Sequence, residues 1–139
     1  MAHVMELEIN GEMYPFKAGF AFIREVDPLK KQTQNGVSEN VGLNALLYGL
    51  HDGDTEDLLT TLFAMNKGEE KRLTKKALEE YIENTEDIDK LFATVLDFLS
   101  ESPCVKKKAG KAEKYAKIVE AQQEKNLKSA LGATSTGKA

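Results

Sequence analysis

The dipeptide Asn10-Gly11 stands between two short runs in which apolar and polar side chains alternate. Asn-Gly tolerates the two positive φ angles of a type I′ turn, so this segment predicts a tight β-hairpin. A two-residue turn fixes the cross-strand partners, which are Ile9 with Glu12, Leu7 with Tyr14 and Met5 with Phe16. Period-two alternation then puts the apolar members of these pairs on one face, and Glu6, Glu8 and Met13 on the other.

A hairpin with one apolar face is marginally stable alone and needs an element packed against that face. The residues that follow supply one, because Phe20, Phe22, Ile23 and Val26 recur at helical spacings. We expect this helix to cover the hairpin and to run to about Asp27, since proline at the next position disfavours helical backbone before it. The polar segment 30–39 shows no apolar period and is predicted to be a loop.

Four further helices are predicted from apolar side chains at three- and four-residue steps. Their stripes are Leu43/Leu46/Leu47/Leu50, Leu58/Leu59/Leu62/Phe63/Met65, Leu78/Tyr81/Ile82 and Ile88/Leu91/Phe92/Val95/Leu99. Asp54 and Thr74 are candidate N-caps, as is Thr85 or Asp87 for the last helix. The sequence therefore predicts a mainly α protein in which an N-terminal β-hairpin packs on a bundle of about five helices.

Charge is distributed unevenly along the chain. Residues 1–101 carry 20 acidic and 10 basic side chains, whereas residues 102–139 carry 3 and 9. This change in composition predicts a hairpin-plus-helix domain over 1–102 and a basic, weakly structured tail over 103–139. A helix over roughly 111–130 is compatible with residue propensities, but its apolar stripe breaks at Gln122, Gln123 and Asn126. The small and polar end, 132–139, is expected to be disordered.

Composition and spacing argue against several kinds of chemistry. Cys104 is the only cysteine, and His3 and His51 have no second ligand at a metal-like spacing. The chain shows no nucleophile-and-base set, so neither catalysis nor a metal or other cofactor is predicted. It also lacks an apolar run long enough for a membrane span and an N-terminal secretory pattern, which leads us to expect a protein of the cytoplasm.

The N-terminal residues carry a resemblance to a known family. The stretches 5–11, 14–17 and 19–25 resemble the opening of the tail assembly chaperones of long-tailed phages that infect Gram-positive bacteria. The similarity continues through residues 41–43, the helix at 54–62 and the segment 82–102, and covers roughly residues 5–102. It rests on a hairpin signature and on hydrophobic spacing, because the chain shows no catalytic fingerprint.

This resemblance implies a small helical protein that is not an enzyme, acts in the host cytoplasm and is absent from the finished virion. Members of the family bind the tape measure protein, a very long helix with apolar faces, and keep it soluble. They also help to recruit the tail tube protein, and they can form homo-oligomers. The alternative is a helical adaptor or regulatory module, with its basic tail as a contact for nucleic acid.

Candidate partner-binding residues lie in the last apolar stripe and at the start of the basic segment. They are Leu91, Phe92, Val95, Leu99, Lys106, Lys107, Lys108, Lys111 and Tyr115. The stripe is widened by further apolar residues, which indicates burial on more than one side. The basic segment contains no arginine, has one aromatic residue and follows an acidic body, so the sequence does not favour nucleic acid as its partner.

Overall fold

The computed structural model describes residues 3–138, with side chains described through residue 131. Its elements are β1 (Met5–Ile9), β2 (Glu12–Phe16), α1 (Phe20–Val26), a 3-10 turn (Asp27–Leu29), β3 (Lys31–Gln34), β4 (Val37–Asn40), α2 (Gly42–His51), α3 (Thr55–Asn66), α4 (Lys75–Glu83), α5 (Ile88–Glu101) and α6 (Lys106–Lys138). The predicted fold class, mainly α with an N-terminal β-hairpin, is confirmed. The disorder expected for 132–139 concerns residues outside the fully described range.

The first hairpin has the predicted register, with Met5 opposite Phe16 and Leu7 opposite Tyr14. Asn10 and Gly11 adopt φ angles of +54° and +79°, as a type I′ turn requires. Met5, Ile9 and Phe16 are buried, so the apolar face is the one that points into the core.

The prediction that α1 covers the apolar face of the first hairpin is wrong. The hairpin packs chiefly on α3 through β2, whereas α1 packs on α2 and α3. Only Phe22 and Val26 of α1 are buried; Phe20 is 66% exposed and lies under the guanidinium of Arg24, 5.5 Å from the ring centre. The helix is seven residues long and ends at Val26, because the 3-10 turn that contains proline follows at once.

The prediction of a loop over 30–39 is also wrong, because β3 and β4 form a second antiparallel hairpin. Its turn is again Asn-Gly, and Asn35 and Gly36 have φ angles of +52° and +77°. All eight strand residues are exposed. No apolar alternation exists in such strands, so the turn dipeptide was the single signal that the sequence offered.

Helices α2 to α5 follow the predicted stripes, and α3, α4 and α5 are each capped at the N-terminus by a side-chain oxygen. The N–H of Asp57 donates to Asp54 Oδ1 at 3.1 Å, and the N–H of Ala77 donates to Thr74 Oγ1 at 3.1 Å. Asp87, rather than the alternative threonine, caps α5 by accepting from the Lys90 N–H at 3.0 Å. Each cap satisfies one backbone donor that the helix itself leaves unpaired.

Asn66, at the end of α3, joins three segments of the chain. Its side-chain amide donates to the carbonyl of Pro15 at 2.9 Å and to the carbonyl of Lys71 at 3.0 Å, and its Oδ1 accepts from the Leu73 N–H at 2.7 Å. Asn66 is 1% exposed, so these three bonds take the place of hydrogen bonds to water, both for its side chain and for the backbone groups that it contacts. Asn66 thus fixes the first hairpin and the loop before α4 to the end of α3.

The C-terminal helix differs from its prediction at its start. It begins at Lys106 and packs on α2 and α5, and Val105, Ala109 and Ala112 are buried. Buried Ser102 links α5 to it, because its hydroxyl donates to the Phe98 carbonyl at 2.7 Å and its own carbonyl accepts from the N–H of Lys106 at 2.8 Å. The division at residue 102 stays a prediction, but the first turns of α6 contribute side chains to the core.

Candidate partner-binding surface

The apolar residues predicted on α5 lie mainly in the core. Leu91 is 5% exposed, and Val95 and Leu99 are fully buried. Phe92 is half-buried against the same core. These side chains are buried because α5 packs against α2 and α6. Leu91, Val95 and Leu99 are therefore not accessible to a partner in this conformation.

The predicted lysines lie at the solvent-facing start of α6. Lys106, Lys107, Lys108 and Lys111 are all exposed. Lys107 and Lys114 come two residues after Val105 and Ala112, which are buried against the body of the protein. Two residues correspond to about 200° around a helix, so these lysines lie on its opposite side, as does Lys125 further along. The back of α6 is therefore basic, and it points away from the body of the protein.

Tyr115, the last predicted residue, takes part in a pair of aromatic rings between two helices. Its side chain is 53% exposed, and its ring centre lies 4.9 Å from that of Tyr48 on α2, with 42° between the ring planes. Tilted ring pairs at this distance are favourable. The pair borders a groove of about 260 Å³ that runs between the end of α2 and the α6 residues Ala116 and Val119.

On the α2 side of this groove, a glycine allows α2 to lie close to α3. A side chain at Gly49, which lines the groove, would occupy the position of the Asp57 carboxyl group. Burial raises the pKa of the Asp57 carboxyl, the nearby carboxylate of Asp54 raises it further, and Lys30 opposes both. The absence of a side chain at Gly49 thus leaves room beside α2 for a carboxyl group that is partly withdrawn from water.

The face of α6 that packs on the body continues past it. Val105, Ala109, Ala112, Ala116 and Val119 follow one another at four- and three-residue steps, as one side of a helix requires. The first three are buried and the last two are half-buried. Exposure therefore increases along this face as α6 leaves the body.

The same face then runs on through Gln123 and Leu127, and Leu127 is 60% exposed. A second groove of about 350 Å³ is lined here by α6 residues alone, which are Glu120, Gln123, Glu124 and Leu127. The part of α6 from residue 114 to residue 131, through which side chains are described, is about 27 Å long at a rise of about 1.5 Å per residue. This stretch is an amphipathic helix face with no other described element covering its end.

Sequence reasoning missed Tyr48, Val119 and Leu127 as members of one surface. The signal that could have found them is the helical spacing of small residues from Val105 onward, in which alanine fills positions that leucine fills elsewhere. An alanine face buries little area but lets two helix backbones approach closely, so it should be counted as an apolar stripe next to a packed body. The contact with Tyr48 could not be predicted, because it depends on how α2 and α6 cross.

Two further observations concern chemistry and membranes. No group of three or more His, Cys, Asp or Glu side chains within the described residues is arranged to hold a metal ion. The described helices include none that combines the length and the apolar character needed to cross a bilayer.

A comparison with known protein families found a match over most of the chain. The family model described as "Phage tail assembly chaperone protein, TAC" matches residues 6–113. The match ends one residue after Ala112, the last residue of α6 that is buried in the core. No curated protein and no solved structure matches the chain.

Proposed function

The chain belongs to the phage tail assembly chaperone family, and from this premise we propose that it binds the tape measure protein of its phage and keeps that protein soluble. We further propose that it helps to recruit tail tube subunits, and that it acts in the host cytoplasm without entering the finished virion. The observation that carries this proposal is the family match over residues 6–113, which includes every residue of the hydrophobic core except Met5.

The surface of the protein supports the proposal in two ways. First, α6 presents large apolar side chains to solvent, among them Tyr115, Leu127 and Leu131, each more than half exposed. Apolar residues grouped along one exposed element are typical of interaction sites. Second, 30% of all residues are charged, so a complex that covers the apolar side chains keeps a hydrophilic exterior.

Binding alone is sufficient for this function. A long helical protein with apolar faces aggregates when those faces meet each other, and a partner that covers them prevents it by mass action. Such a complex has to be reversible, since tube subunits later take the place of the chaperone. A contact made by an exposed helix and a shallow groove meets this requirement better than a large apolar interface would.

Co-expression tests the proposal. The tape measure protein encoded by the same phage should move from the pellet to the soluble fraction when the full-length chain is produced with it, and the two should elute together in gel filtration. An unrelated acidic helical protein of similar size serves as the control. Equal solubility with and without the chain, and no complex at low salt, would exclude this function; retention of nucleic acid by the chain instead would favour the adaptor alternative.

A further inference from the structure

We propose that a partner's amphipathic α-helix docks on the face formed by Tyr48, Tyr115, Val119 and Leu127, and that this helix carries Lys or Arg beside its apolar stripe. The proposal rests on the proposed function, because it assigns the surface of this chain that receives the tape measure protein. It names one occupant, a helix with an apolar stripe between basic residues, and one binding mode, a helix laid along α6.

The size of the groove fits side chains rather than a small molecule. Pockets for drug-sized ligands measure about 300–1,000 Å³ and enclose most of the ligand. The groove between α2 and α6 measures about 260 Å³ and is open to solvent along its length. It has room for one or two anchoring side chains of a docked helix, with the rings of Tyr48 and Tyr115 as its aromatic border.

The length of the face fits a helix as well. Val119 and Leu127 lie eight residues apart, or about 12 Å along the axis of α6, so a partner helix would meet them with anchors about two turns apart. Leu131 extends the contact by one more turn and is 59% exposed. From Val119 to Leu131 the face is about 18 Å long, so a partner helix with apolar residues at i, i+4, i+7 and i+11, which span about 16 Å, would follow most of its length.

The charged residues around this face determine which kind of partner helix it would bind. Asp52 and Glu120 line the groove, and Glu120 and Glu124 line its continuation along α6. Among the described residues, no lysine or arginine makes an ion pair with any of these three carboxylates, whereas Glu113 is paired with Lys117 at 3.4 Å. The rim of the face is therefore acidic and unpaired, and a helix with Lys or Arg on its flank would complement it.

The same charges argue against a second copy of this chain as the occupant. When two identical helices pair in antiparallel fashion, each flank faces its own counterpart. Glu120 and Glu124 of one copy would then face Glu120 and Glu124 of the other, and like charges at such positions are unfavourable.

The test compares binding to two probes. The first is the tape measure protein of the same phage, and the second is a synthetic amphipathic helix of about 20 residues whose leucine stripe is flanked by lysine, or in a second version by glutamate. We expect the full-length chain to bind the lysine-flanked helix at least about tenfold more tightly than the glutamate-flanked one.

Substitutions on α6 then locate the surface. Leu127→Ser and the double variant Glu120→Lys/Glu124→Lys should each weaken binding of both the lysine-flanked helix and the tape measure protein by at least about tenfold. Ile118→Ser is the matched control for the first, because Ile118 is 66% exposed and lies nine residues, or about two and a half turns, from Leu127 on the opposite side. Glu79→Lys/Glu80→Lys on α4 is the control for net charge, since both of its glutamates are exposed.

The outcomes separate this inference from the proposed function. If the wild-type chain does not bind the tape measure protein at all, the proposed function itself fails. Unchanged binding of the tape measure protein by both α6 variants would overturn the assignment of the surface alone. A dimer of the wild-type chain that Leu127→Ser converts to a monomer would also overturn it, because a second copy would then be the occupant.

Discussion

Replacing Asn66 with alanine should lower the stability of the whole domain, although the residue lines neither groove of the proposed binding surface. Its side chain makes three hydrogen bonds of 2.7 to 3.0 Å to the backbone of Pro15, Lys71 and Leu73. Each such bond contributes about 0.5–1.5 kcal/mol net, and each backbone group left unpaired in the interior adds to the loss. We therefore expect the free energy of unfolding to fall by about 3 kcal/mol, and the midpoint of thermal unfolding by roughly 10 °C.

Asn84→Ala is the matched control. Asn84 also ends a helix, but its amide makes one hydrogen bond within the same helix, to the Glu80 carbonyl at 2.8 Å, and its side chain is exposed. That variant should lose less than about 1 kcal/mol in urea unfolding followed by circular dichroism. Equal losses for the two variants would refute the claim that Asn66 ties three segments together.

Asn66→Asp provides a second and sharper measurement. It keeps the shape and the acceptor of asparagine but loses both donated bonds, and its ionised carboxylate would face the carbonyl oxygens of Pro15 and Lys71. Burial and these oxygens disfavour the charged form, so the pKa of the new carboxyl should be raised in the folded state. Its destabilisation relative to the wild type should then grow as pH rises from about 4 to 7, and a pH-independent difference would contradict the geometry.

Three further predictions concern other elements. Gly42→Ala should destabilise the protein by more than about 2 kcal/mol, because a Cβ there would overlap the carbonyl oxygen of Val26. Gly110→Ala on α6 should instead stabilise it by up to about 1 kcal/mol, because a Cβ there meets open space. Thermal unfolding of the two variants compares these effects. Asp57→Asn should gain stability over the wild type as pH rises from about 4, since burial raises the pKa of the Asp57 carboxyl in the folded state; urea midpoints at pH 4 and 7 test this. A chain ending after Ser102 should be about 3 kcal/mol less stable than one ending after Gln122, because only the longer chain buries Val105, Ala109 and Ala112.

The two hairpins show how far local sequence determines this fold. The first was predicted with its register, since the Asn-Gly turn and the alternation from Met5 to Phe16 agree with each other. The second has the same turn dipeptide but no apolar face, because all residues of β3 and β4 are exposed. Apolar and polar residues alternate along a strand only where one of its faces is buried. A hairpin that is exposed on both faces therefore has no alternating pattern by which its strands could be predicted.

The candidate surface was less predictable than the fold for a related reason. Tyr115 was identified from its place in the basic segment, but Leu91, Val95 and Leu99 were assigned to a partner and lie in the core. A wide apolar stripe does not distinguish a helix covered by the chain's own α6 from one left open to a partner. That distinction depends on tertiary packing, which the spacing of residues along one helix does not contain.

If this chain keeps a tape measure protein from aggregating, as we propose, the effect should be visible with purified components. The tape measure protein is diluted from denaturant into buffer with increasing amounts of the full-length chain, and aggregation is followed by light scattering. We predict that scattering falls in proportion to the added chain and reaches a plateau at a fixed ratio of the two proteins, while equal amounts of an unrelated acidic helical protein have no effect. Scattering that is the same with the chain, with the control protein and with neither would contradict the claim.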